Sequence, residues 1–121
     1  MANGTIESFE ELRVWQEAQN LAVSVYRGTK NFPKEEMFGI TSQIRRAVSS
    51  ISANIAEGFG RSTAKDKLHF YVIAYGSLLE TKNFIHLSKK LTYIDQPKAN
   101  ELIEQCVISQ KLLNAFMRPL R

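Results

Sequence analysis

Thiol chemistry in this 121-residue chain rests on one cysteine, Cys106. A lone thiol cannot close an intramolecular disulfide, and its scarcity suits a reducing cytoplasm, the location expected here. Ile103, Val107 and Leu113 surround it in the sequence, which makes it a small core filler. Histidine is equally scarce. His69, His86 and Cys106 show no spacing that sets two ligands on one helix face, so neither a metal nor a cofactor is expected. Gly58-Phe59-Gly60 lacks the strand–glycine–helix setting of a phosphate-binding loop. No Ser/His/Asp set stands out, and Ser49, Ser50 and Ser52 read as packing or solvent-facing groups; no enzyme activity is expected. Long apolar runs are missing too. The longest, Phe70–Tyr75, is far too short to cross a bilayer, and the N-terminus has no secretory pattern. Repeats, low-complexity tracts and strand alternation are also absent.

What is present is helical periodicity, centred on Thr41–Arg61. Ile44, Val48, Ile51 and Ile55 recur every three or four residues and form a core stripe. Beside it runs a row of small residues, Ala47, Ser50, Asn54 and Gly58, which lets a neighbouring backbone come close. Arg45, Ser49, Ser52 and Ala56 occupy a further side. Gly58 and Gly60 are expected to end the helix through their left-handed freedom. Glu57 breaks a local rule, because a carboxylate in the last turn faces the negative end of the helix dipole. Arg46 shares its face but lies roughly 16 Å away at about 1.5 Å per residue. A structural ion pair with another helix or subunit is therefore expected for Glu57, ahead of acid–base chemistry.

The rest of the chain supplies three more helices. The first is expected from about Phe9 to Lys30, with Ser8 and Glu11 as its capping box and Val14, Ala18, Leu21 and Val25 as its core stripe. Residues 1–8 read as a disordered tail, and residues 9–121 as one domain. Phe32-Pro33 breaks the chain, Lys34–Phe38 offers a short helical turn, and Thr41 or Ser42 is expected to cap the second helix. Thr63 with Asp66 opens a third helix running to about Leu91 or Thr92. Its first half, Leu68–Leu79, is apolar almost all round, although one core needs only a stripe. The surplus predicts a subunit interface. Asp95 or Gln96 caps the fourth helix, with Pro97 in its first turn, and Leu102, Cys106, Leu113, Phe116 and Leu120 face inward. Short connections make successive helices antiparallel, so the fold class is an all-α, up-down-up-down four-helix bundle.

Charge is unevenly spread. The net charge is +4, but Thr41–Ile94 holds eight basic and three acidic residues, and the remainder eight basic and nine acidic. The excess therefore belongs to the two middle helices. The candidate nucleic-acid contacts are Arg45, Arg46, Arg61, Lys65, Lys82, Lys89 and Lys90. Lys82, His86, Lys89 and Lys90 follow spacings that place them in one band, which is read either as a solvated face or as a phosphate-binding surface. Tyr71 and Tyr75 are expected in a core or interface rather than stacked on bases.

Gln43-Ile44-Arg45-Arg46-Ala47, Ser50-Ile51, Asn54-Ile55-Ala56-Glu57-Gly58 and Gly60-Arg61 resemble the signature of the 23S ribosomal RNA intervening-sequence proteins. Phe9-Glu10-Glu11-Leu12 with Val14-Trp15-Gln16, Phe32-Pro33 with Glu36, Gly39 and Thr41, and Gly76–Thr81 extend the resemblance from about Phe9 to Leu113. It implies a left-handed bundle assembled as a ring-like homopentamer, with Ser50, Asn54, Glu57 and Gly58 as a structural motif. It implies no settled activity. Some members of the family are encoded inside insertions in large ribosomal RNA genes, and relatives act as accessory proteins to retroelement reverse transcriptases. Both contexts point to RNA or DNA. The expected function is a non-enzymatic oligomeric bundle that binds structured nucleic acid through the middle-helix charge. The alternative is a scaffold or accessory protein that binds a protein partner and has no direct nucleic-acid role.

Overall fold

The computed structural model of the chain describes residues 5–121. Four helices carry the fold: α1 Arg13–Gly28, α2 Ile40–Phe59, α3 Ala64–Lys90 and α4 Gln96–Met117. Short 3₁₀ turns occupy Phe9–Glu11, Lys34–Glu36 and Arg118–Leu120, and there is no strand among the described residues. Each helix packs on its chain neighbours and α4 closes back on α1, with no diagonal contact. That is the arrangement expected of a four-helix bundle with short connections.

The core follows the stripes. Val14, Ala18, Leu21 and Val25 of α1 and Ile44, Val48, Ile51 and Ile55 of α2 are all buried. Tyr71, Ala74, Leu78 and Ile85 of α3 and Leu102, Cys106, Leu113 and Met117 of α4 complete it. Tyr71 lies in this core against Phe116, with ring centroids 4.8 Å apart.

Several helix ends differ from expectation. The first helix is not continuous from Phe9. Leu12 is extended (φ −77°, ψ 124°) and buries its side chain, so a 3₁₀ turn and α1 are separate pieces. The Glu11 carboxylate holds the Ser8 N–H at 3.0 Å and the Glu7 N–H at 3.1 Å, so these two residues of the expected tail are tied down; residues 1–4 lie outside the described part. Neither Thr41 nor Ser42 caps α2. Gly39 takes that position, Ser42 donates back to the Gly39 carbonyl at 3.1 Å, and Glu36 Oε1 accepts from the Ile40 N–H at 3.3 Å. A Cβ on Gly39 would meet Glu36 Oε1 at 2.5 Å, which is why the carboxylate can fill the cap there.

Glycine acts differently from expectation at the end of α2. Gly60 is right-handed (φ −78°, ψ −6°), so no left-handed turn ends the helix. Gly58 lies within the helix, and its role is spatial: a Cβ there would stand 2.5 Å from Tyr71 Cε1 and 3.1 Å from Phe70 Cβ. The small row does bring α2 and α3 together, and Ser77 donates to Ser50 across the contact at 2.9 Å. The expected caps of the later helices are made. Thr63 Oγ1 accepts from the Asp66 N–H at 3.1 Å, and Asp95 Oδ1 from the Lys98 N–H at 2.9 Å. Beyond α3, Thr92 adopts φ 63°, while the Tyr93 N–H reaches the Ser88 carbonyl and the Thr92 N–H the Lys89 carbonyl. This is the double hydrogen bond of a Schellman ending, made without the usual glycine.

Candidate nucleic-acid interface

The antiparallel contact of α2 with α3 sets where each basic side chain falls. Ser50 meets Ser77 and Gly58 meets Tyr71, so the start of α2 lies beside the end of α3. Arg45, Arg46, Lys89 and Lys90 therefore belong toward one end of the bundle. Arg61 and Lys65 lie at the other, about 20 Å away at ~1.5 Å per residue. Lys82 lies level with Arg46 in this register and turns to α4, donating to Gln110 Oε1 at 3.1 Å. Helix direction therefore spreads the seven candidate residues along the length of the bundle.

Their engagement differs as well. Arg45 is committed to α1: Nε donates to Thr29 Oγ1 at 2.9 Å, Nη2 to the Tyr26 carbonyl at 3.3 Å, and the guanidinium stacks 4.8 Å over the Tyr26 ring. Arg61 pairs with Glu57 at 2.9 Å and covers the Phe70 ring at 4.5 Å. That pair corrects the expectation for Glu57. Its partner comes from the same helix end, four residues on, and both side chains are about half exposed. Arg46, Lys65, Lys89 and Lys90 are exposed and have no salt-bridge partner among the described residues.

Sequence reasoning passed over Arg27, Lys30 and Lys34. They lie at the end of α1 and in the connection to α2, and so join Arg45 and Arg46 at the same end of the bundle. Their spacing around Phe32-Pro33 was the available signal, masked by the nine acids counted with them. Of the acids at this end, Glu36 is already bound: the Tyr93 hydroxyl donates to its Oε2 at 2.7 Å. That bond pushes the Tyr93 phenol up, since ionisation would set an anion beside the carboxylate.

Other chemistry finds little support. Cys106 is fully buried and burial pushes its thiol up to about 12, so it is no nucleophile at neutral pH. Tyr71 is buried, so its ring is not offered to a base, while Tyr75 is half-buried and its hydroxyl accepts from Gln110 and Asn114 of α4. Among the described residues no His, Cys, Asp and Glu side chains gather into a metal-binding group, and no helix is long and apolar enough to cross a membrane.

Comparison with known proteins agrees with this architecture. Residues 10–115 match the sequence model of the family described as 23S rRNA-intervening sequence protein. A crystal structure from Bacteroides thetaiotaomicron VPI-5482, described as a protein with unknown function from the S23 ribosomal protein family, is similar in fold. Its TM-score is 0.77 at 24% identity, covering 86% of this chain and 97% of that one. No curated protein matches the chain.

Proposed function

Since the chain belongs to the 23S rRNA-intervening sequence protein family, we propose that it is a non-enzymatic, self-associating bundle that binds structured RNA or DNA. The observation that carries this reading is the collection of exposed cations at one end of the bundle. Arg46, Lys89 and Lys90 of the middle helices are joined there by Arg27, Lys30 and Lys34. Such a surface binds phosphates by releasing condensed counterions, with little reading of base sequence. Homo-oligomerisation, a pentameric ring by family resemblance, would multiply a modest patch into a large one.

The test is equilibrium binding to labelled structured RNA and duplex DNA across a salt series. Affinity is expected to fall steeply as salt rises, with a slope that counts the phosphates engaged. Arg46→Glu with Lys89→Glu should weaken binding at least about tenfold and leave the melting curve unchanged, because neither side chain braces the fold. Arg45 is the wrong residue for this test, since its loss would also free the end of α1. No binding at low salt would overturn the reading.

The accessory-protein alternative has its own observation. Phe38 is 91% exposed and Met37 54%, side by side in the α1–α2 connection. Exposed apolar pairs of this kind suit a protein contact. Partners captured from native lysate that persist after nuclease treatment would favour it.

A further inference from the structure

Three cations from separate segments converge on one cavity beside the first turn of α2. Lys30 follows α1, Lys34 begins the connecting 3₁₀ turn, and Arg45 comes from α2. Together with the Thr29 and Thr41 side chains they line a cavity of about 260 Å³, and no carboxylate lines it. The larger groove between α2 and α3, by contrast, sets Arg46 against Glu80, and the cavity beside Trp15 has no charged lining. Of these three depressions, this is the one whose charged lining is of a single sign.

Two further observations give the cavity a chemistry. Arg45 is held in place before any ligand arrives, by its bonds to Thr29 and Tyr26 and by the Tyr26 ring, while its remaining guanidinium N–H groups have no partner among the described residues. A planar donor fixed in this way loses little freedom on binding an oxyanion. Thr41 is also on the lining, and its hydroxyl, itself out of solvent, has no hydrogen-bond partner among the described residues. A buried hydroxyl without a partner costs free energy unless something completes it. The positive end of the α2 dipole adds a smaller attraction for an anion.

We infer that this cavity is a discrete binding site for one phosphoryl group, held by Arg45, Lys30 and Lys34, toward which the Thr41 hydroxyl turns when the ligand binds. Its size is below that of ordinary small-molecule pockets, which suits a single oxyanion rather than a whole nucleotide. A phosphate of a nucleic-acid strand and a free phosphate both supply that chemistry. The site lies at the α1–α2 connection and shares Lys30 and Lys34 with the proposed nucleic-acid surface, but its binding of a phosphoryl group does not depend on that reading.

The test is an NMR titration of the full chain with inorganic phosphate at fixed ionic strength. Saturating shifts are expected at Thr29, Thr41 and the Arg45 side-chain N–H. Lys30→Met with Lys34→Met should weaken phosphate binding about tenfold, through loss of charge-assisted contacts. Lys89→Met with Lys90→Met removes the same charge from the same end of the bundle and should change binding by less than about twofold, since neither residue lines the cavity and exposed charges are screened by salt. Equal losses in the two variants, or shifts that never saturate, would overturn the site. Single strands with a 5′-phosphate or a 5′-hydroxyl then identify the source. Stronger competition by the phosphorylated strand assigns a strand end, equal competition assigns the backbone, and competition by neither assigns a free phosphate. Loss of nucleic-acid binding with phosphate binding intact would remove the interface reading and leave the site standing.

Discussion

Glu57 and Gly58 are adjacent, yet they should tolerate change very differently. Glu57 pairs with Arg61 at 2.9 Å, but both side chains are half in water, where screening leaves such a pair little net value. Glu57→Gln is expected to cost no more than about 0.5 kcal/mol and to leave the oligomeric state unchanged, as measured by thermal melting and light scattering. A change of assembly state would mean that Glu57 reaches another subunit after all. Gly58→Ala sets a methyl group against a buried ring, since the added Cβ would stand 2.5 Å from Tyr71 Cε1. Overpacking of that kind costs about 1–3 kcal/mol, read as a lower denaturation midpoint. Unchanged stability would show that Tyr71 moves aside without loss.

At the scale of elements, the end of α3 carries an avoidable strain. Thr92 holds φ 63°, a region that a β-branched residue occupies at a cost. The surrounding hydrogen bonds, Tyr93 N–H to the Ser88 carbonyl and Thr92 N–H to the Lys89 carbonyl, are those a glycine would serve equally. Thr92→Gly should therefore stabilise the chain by about 0.5–1 kcal/mol, checked by chemical denaturation with an unchanged slope. A destabilised variant would mean that the Thr92 side chain contributes more than its backbone strain costs. The α1–α2 corner shows the reverse economy of parts. Arg45 ties Thr29 and the Tyr26 carbonyl to α2, so one cation both braces the corner and lines the proposed phosphoryl site.

For the whole molecule, the unresolved balance is between apolar surface and water. Val72, Ile73 and Leu79 of α3 are exposed at 51%, 39% and 45%, and Phe38 at 91%. A single bundle leaves these side chains wet, and the self-association we propose would cover several of them at once. Light scattering after size exclusion is expected to give several times the 13.8 kDa chain mass. A monodisperse monomer would overturn the assembly argument and remove the multiplication of charge on which the nucleic-acid interface draws.

The sequence by itself determined the four helices, their antiparallel order and nearly all of the core, because periodic apolar stripes and short connections leave a bundle few alternatives. It also determined the cap at Thr63 and narrowed that of α4 to Asp95 or Gln96, of which Asp95 reaches the N–H three residues away. Tertiary structure decided whatever depends on how one element lies against another. Gly58 is small because of Tyr71, which follows it by thirteen residues and a turn of the chain. Glu36 caps α2 from the preceding turn, and Arg45 faces α1 rather than solvent. The charge pattern was legible as an amount but not as a surface. Antiparallel packing sends Arg61 and Lys65 to one end, gathers Arg46, Lys89 and Lys90 at the other, and brings Lys30 and Lys34 across from a segment whose sequence balance looks acidic. Local patterns fix local geometry, whereas a site built from three segments exists only once the helices have packed.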